Sequence, residues 1–292
     1  MRISRRDWLR LSAVPFASAA LSRVRLLAAA RAVFKVGVTD WNLKLAGKPE
    51  SIALARDVGF DGVQVSLGRG GDEQPTALPL ADRALQQAFI AESKRVGLPL
   101  ASVCLDILHR NGLKSDPLGQ KWVADAIPIA HALGVRVILL PFFGKWALTN
   151  TAEMDRVGDL LREVAPAAER AQVVLGLEDT ISARDNVRIM ERAKSPAVLT
   201  YYDVGNSTNN GFNVLEEIRW LGRERICEVH LKDNPHYLGQ GRIDIRGIVE
   251  ALADLGFDRW AQLETDCPSG NVAADMRVNL GYLRGLMRSS SA

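Results

Sequence analysis

From residue 33 onward, short apolar runs alternate with longer stretches of helical periodicity. The runs are FKVGVT (34–39), GVQVSL (62–67), LASVCL (100–105), VRVILLPF (135–142), VVLGLE (173–178), VLTYYD (198–203), ICEVHL (226–231) and AQLET (261–265). Most are rich in Val, Ile and Leu without clean alternation, the pattern of parallel strands covered on both faces. Between them, PESIALARDVGF (49–60), LADRALQQAFIAESKRVG (80–97) and DPLGQKWVADAIPIAHALG (116–134) predict helices. Several stop at a glycine (Gly59, Gly97, Gly134, Gly256), the residue favoured just past a helix end. Asp116 with Pro117, Asn213 and Asp244 are expected helix starts.

Eight such units across residues 33–288 average about 32 residues each, the size expected of an α/β (β/α)8 TIM barrel in one domain. An open doubly wound sheet is the runner-up, but it carries a glycine-rich turn after its first strand, and VGVTDWNLKLAG has none. The 47% hydrophobic and 24% charged content suits a chain able to bury a sizeable core.

Charge changes the picture at the N-terminus. Residues 1–31 hold seven arginines against Asp7, a balance of +6 within a net charge of +3, leaving −3 for the remainder. SRRDWLRL, with Arg5 and Arg6 adjacent, is close to a twin-arginine pattern with Trp8 in the aromatic position. An apolar stretch (11–21) and small residues around Ala28 and Ala30 follow, so residues 1–32 are expected to be an export signal and the barrel periplasmic. The stretch is too short for a stable membrane anchor. The mildly acidic body has no electrostatic footprint for nucleic acid. Three cysteines (Cys104, Cys227, Cys267) form no disulfide framework.

In a barrel the working residues collect at the C-terminal ends of strands. Four successive runs end on polar side chains: Glu178, Asp203, His230 and Glu264, separated by 25, 27 and 34 residues, one unit apiece. At equivalent heights they would converge on the barrel mouth. Three unpaired carboxylates there would repel one another and resist desolvation, and one divalent cation removes both costs. Oxygen-rich ligation with one nitrogen favours Mn²⁺, Mg²⁺ or Co²⁺ and accepts Zn²⁺.

HLKDNPHYLGQGRIDIRGIVEAL, with LEDT, YYDVGN and LETD, resembles the motifs of the xylose isomerase-like TIM-barrel superfamily. The nearest pattern is the sugar phosphate isomerase/epimerase group, which includes ketose 3-epimerases, hydroxypyruvate isomerases and inosose dehydratases. The resemblance covers about residues 33–288. It implies that Glu178, Asp203, His230 and Glu264 hold the cation, and that Glu178 and Glu264 act as base and acid on a small keto-sugar. Inversion, isomerisation or loss of a β-hydroxyl would be alternative outcomes of one enediolate, so a lyase is the alternative activity. Two positions depart from the ketose epimerases: Asn206 stands where they carry His, and His236 where they carry Arg. Both remain candidate substrate-binding residues.

Further candidates are Trp41, for stacking on a sugar face, Lys145 after the fourth strand, and His109 after the third. His131 is expected to be structural. GRGGDEQP (68–75) reads as a loop able to close over the mouth. A glycosidase would use two of the carboxylates and leave His230 without a role. A metal-dependent AP endonuclease needs a histidine-rich cluster, and the chain has four histidines, one of them inside a helix. A non-catalytic sugar-binding barrel is separated from all of these by proton exchange on substrate. A homo-oligomer is compatible with the composition, and export argues for a non-phosphorylated sugar.

Overall fold

A computed structural model describes residues 34–68 and 75–289. The expected export signal and most of the 68–75 loop lie outside the described residues. Eight parallel strands close into a barrel in sequence order: β1 (Lys35–Thr39), β2 (Gly62–Ser66), β3 (Leu100–Cys104), β4 (Val137–Pro141), β5 (Val174–Glu178), β6 (Val198–Asp203), β7 (Ile226–Leu231) and β8 (Trp260–Leu263). β8 returns to β1 through the register Lys35↔Trp260 to Val38↔Leu263. The strands are at most six residues long, shorter than several of the apolar runs, because those runs continue into loops that also face the core.

The helices cover the outside of the barrel and stop for identifiable reasons. Glu50–Val58, Arg83–Val96 and Pro117–Leu133 each meet a glycine in left-handed backbone (Gly59, Gly97 and Gly134, φ 105°, 67° and 73°), where a side chain would be strained. Asp116 accepts from Leu118 N–H, Asn213 from Glu216 N–H and Asp244 from Gly247 N–H, satisfying donors that a helix start leaves open. Thr151–Ala171 buries Met154, Val157, Leu161, Ala165 and Ala168 at spacings of three and four, one stripe against the barrel. Each larger side chain so buried contributes about 1.5–3 kcal/mol.

Inside the barrel the filling is unusually polar. Gln64, Ser102, Glu228 and Gln262 are fully buried there, with Tyr201 beside them. Glu228 Oε2 accepts from Ser102 Oγ (2.8 Å), Tyr201 OH (3.0 Å) and Gln262 Nε2 (3.0 Å). Burial raises the Glu228 carboxyl to about 7, against the lowering effect of those donors. This network forms the floor of the site. Among the described residues the three cysteines are free, and no helix is long and apolar enough to cross a membrane.

Candidate active site

Strand register carries the four candidate ligands to one height. Asp203 and His230 are direct partners across β6 and β7, and Glu178 ends β5 opposite Pro141. Glu264 lies one residue past β8, but its N–H donates to Leu231 O (3.1 Å), which continues the ladder and holds it at the mouth. One donor atom from each of the four residues lies within 4.8 Å of every other. Glu178, Asp203 and His230 are buried, and the Glu264 side chain is 20% exposed.

The imidazole is the hub. His230 Nδ1 donates to Glu178 Oε1 (2.9 Å) and lies 3.5 Å from both Asp203 Oδ2 and Glu264 Oε2. Its Nε2 donates to Gln64 Oε1 (2.7 Å). Burial disfavours the imidazolium, but Glu264 and Glu178 outweigh it and lift His230 to about 10. Burial raises Glu178 to about 7 despite the nearby His230 charge. Asp203 behaves oppositely: the Lys232 charge and His230 overcome its burial and hold it well below the usual carboxylate range.

Lys232 is the residue that the sequence reading passed over. Its Nζ donates to Glu264 Oε2 (2.6 Å) and sits 2.8 Å from Asp203 Oδ2, in an ion pair without hydrogen-bond alignment. Those carboxylates raise the lysine far above its ordinary value, against the opposing effect of burial. A signal was present, because Glu228, His230 and Lys232 alternate along one strand and its extension, and so face the same way. Gln64, Ser66 and Asp106 were also missed. Ser66 and Asp106 line the mouth, joined by Ser66 Oγ to Asp106 Oδ2 (2.6 Å).

The other candidates separate. Trp41 donates through Nε1 to Glu264 Oε1 (3.0 Å), with its ring edge-on to His230 at 6.0 Å. His109 lines the same cavity of about 600 Å³ and stacks on Phe143 at 6.0 Å. Asn206 lines it too, with its N–H on Asp203 Oδ1 (2.7 Å). His236 faces a neighbouring cavity of about 550 Å³. Lys145 is exposed over the Trp146 ring, 4.7 Å from its centroid, outside the residues lining either cavity. His131 lies in a helix, with Nδ1 3.2 Å from Ala171 O.

The donor set fits a divalent cation. Asp203 Oδ2 is buried beside the Lys232 charge (2.8 Å) and makes no aligned hydrogen bond among the described residues, so it keeps lone-pair capacity for ligation. Gln64 holds the proton on Nε2, so loss of the other proton leaves Nδ1 as the ligating atom, facing three carboxylates.

Known proteins share this arrangement of elements. The chain is 29% identical over 262 residues to 2-epi-5-epi-valiolone 7-phosphate 2-epimerase of Actinoplanes sp., covering 86% of this chain and 93% of the relative. Among solved structures, D-psicose 3-epimerase from Clostridium cellulolyticum H10 superposes with a TM-score of 0.72 at 18% identity, covering 87% of this chain and 99% of that one. The 3-keto-D-glucoside 4-epimerase YcjR from E. coli superposes with a TM-score of 0.70 at 19% identity, covering 87% and 100%. Residues 52–286 match the family described as xylose isomerase-like TIM barrel, and the chain belongs to that family.

Proposed function

We propose that this chain is a divalent-metal-dependent isomerase or epimerase of keto-sugars, moving a proton at the carbon next to the carbonyl. The observation that carries the proposal is the convergence of Glu178, Asp203, His230 and Glu264 within 4.8 Å at the mouth of the barrel. The epimerase names of the relatives support the reaction class.

Glu178, Asp203, His230 Nδ1 and Glu264 would hold the cation, which when bound supplies Lewis-acid polarisation of a carbonyl and so acidifies the adjacent C–H. The protein's own groups do the rest. Glu178, at the end of β5 and lining the mouth, would be one general acid or base. Glu264 has its two oxygens fixed by Trp41 Nε1–H (3.0 Å) and Lys232 Nζ (2.6 Å), which sets the direction of its remaining lone pairs. Two carboxylates from β5 and the end of β8 can then serve opposite faces of one carbon. Ser66, Asp106 and Asn206 give the mouth hydroxyl-binding groups for the rest of the sugar.

Metal analysis should find one divalent ion per chain, and the Glu178→Gln/Glu264→Gln double variant should lose it. Keto-sugars incubated in D₂O should incorporate deuterium at carbon, slowed by roughly 10²–10⁴-fold in Glu178→Gln, the usual range for a lost acid–base group. Deuterium uptake unaffected by chelator would overturn the metal, and none with any keto-sugar would overturn the reaction class.

A further inference from the structure

Lys232 and Asn206 stand on the ridge between the mouth and the second cavity, and both line the two. An ammonium has three N–H donors and no acceptor. Glu264 Oε2 takes one of them at 2.6 Å, while the 2.8 Å approach to Asp203 Oδ2 is an ion pair without hydrogen-bond alignment. Donor capacity therefore remains toward the cavities. Asn206 adds a buried Nδ2 with no acceptor among the described residues, and its backbone N–H on Asp203 Oδ1 (2.7 Å) fixes it at the start of the helical turn after β6. The ammonium is held in place by its stem. That stem lies against the backbone of Gly205, where a Cβ would come within 2.6 Å of Lys232 Cγ and 2.7 Å of Cε. A side chain at 205 would displace it from the ridge.

Two donors short of acceptors thus share one ridge, one charged and one neutral. Such groups call for an oxygen, and an ammonium beside an amide N–H favours one that carries negative charge. Proton transfer makes such an oxygen. When a C–H next to a carbonyl gives its proton to a carboxylate of the mouth, the C–H electron pair forms the C=C bond and the carbonyl π pair moves onto oxygen. Negative charge leaves the carboxylate and appears on the substrate. Donors that gain their full acceptor only during this step stabilise the transition state more than the bound substrate, which raises kcat rather than affinity.

We infer that Lys232 is a further catalytic residue of this site, donating together with Asn206 Nδ2 to the substrate oxygen that becomes negative, and that Gly205 is the residue that positions it. The inference rests on the proton-transfer reading above. Its test measures deuterium exchange from D₂O into D-fructose, D-ribulose and D-ribulose 5-phosphate by the metal-loaded protein, with steady-state constants taken on the sugar that exchanges fastest. Lys232→Met should lower kcat roughly 10²–10³-fold, the loss for one removed oxyanion donor, and leave KM within about threefold of wild type. Asn206→Ala should lower kcat by a smaller factor, about three- to tenfold, as one neutral hydrogen bond does. The affinity of Lys232→Met for Mn²⁺ in calorimetric titration should stay the same or tighten, because a positive charge has left the carboxylates. Gly205→Ala, which keeps the ammonium but moves it, should slow the wild type and slow Lys232→Met no further. An unmoved kcat in Lys232→Met, or a loss confined to KM, would overturn the catalytic role while leaving the proton transfer standing. Weaker Mn²⁺ binding would overturn it in favour of a lysine that only holds Asp203 and Glu264 in place. Equal losses from Gly205→Ala in both backgrounds would refute the positioning. Absence of exchange by the wild type with all three sugars would sink the reaction class, and this role with it.

Discussion

Gln64 acts on the site without belonging to it. Its Oε1 accepts the His230 Nε2 proton at 2.7 Å inside the closed barrel, so it decides which imidazole nitrogen faces the carboxylates. Gln64→Leu leaves that N–H buried and unpaired, and divalent-ion affinity measured by calorimetric titration should fall by roughly 10–100-fold. An unchanged affinity would show that the tautomer is set elsewhere. Asp40, buried behind the mouth, illustrates the opposite sign of linkage. Burial raises it to about 8, although Gly47 N–H (2.8 Å) and Ser66 N–H (3.1 Å) favour its ionised form. The folded chain therefore keeps a proton on Asp40 that the unfolded chain loses near 3.8, and this group's contribution to stability declines as pH rises from about 4 to about 8. Asp40→Asn removes the titration. Its stability advantage, measured by urea unfolding, should grow by up to about 1.4 kcal/mol per pH unit across that window and level off above it. A difference that is flat with pH would refute the assignment. That Glu178, Asp203, His230 and Glu264 would converge was legible in sequence because each closes an apolar run. Gln64 and Asp40 were not, because nothing local tells a glutamine inside a barrel from one on its surface.

At the scale of the element, the barrel is filled by pairing small residues with large ones across neighbouring strands. Gly37 of β1 faces Gln262 of β8, whose Nε2 is held by Glu228 Oε2; a Cβ at Gly37 would sit 1.9 Å from Gln262 Oε1. Gly37→Val is expected to cost about 1–3 kcal/mol by overpacking, and Gln262→Ala should recover part of that loss in the double variant. Strict additivity in urea unfolding would disprove the contact. Helix ends were readable at Asp116, Asn213 and Asp244, since capping is a local hydrogen bond between residues two or three apart. Strand ends were less so. β8 stops at Leu263 rather than at 265, and Glu264 owes its place to a bond with Leu231, 33 residues away in sequence.

For the whole molecule, the proposed site would make the folded state a better cation binder than the unfolded chain, because folding brings three carboxylates into one mouth. A cation present at about 100 times its dissociation constant should therefore add about 2.7 kcal/mol of stability. The unfolding midpoint should rise with Mn²⁺, Mg²⁺, Co²⁺ or Zn²⁺ and fall back on chelation. The Glu178→Gln/Glu264→Gln variant should show no such response, and a wild-type midpoint indifferent to all four ions would count against the site. The eightfold repeat, the barrel and the spacing of Glu178, Asp203, His230 and Glu264 could be derived from the chain alone, because periodicity and helix punctuation are properties of neighbours in sequence. Only the closed barrel decided that Lys232 would lie between Asp203 and Glu264. The same closure placed Gln64 behind an imidazole 166 residues away. Those contacts depend on register and side-chain packing between strands that meet only when the cylinder closes, and no local pattern encodes them.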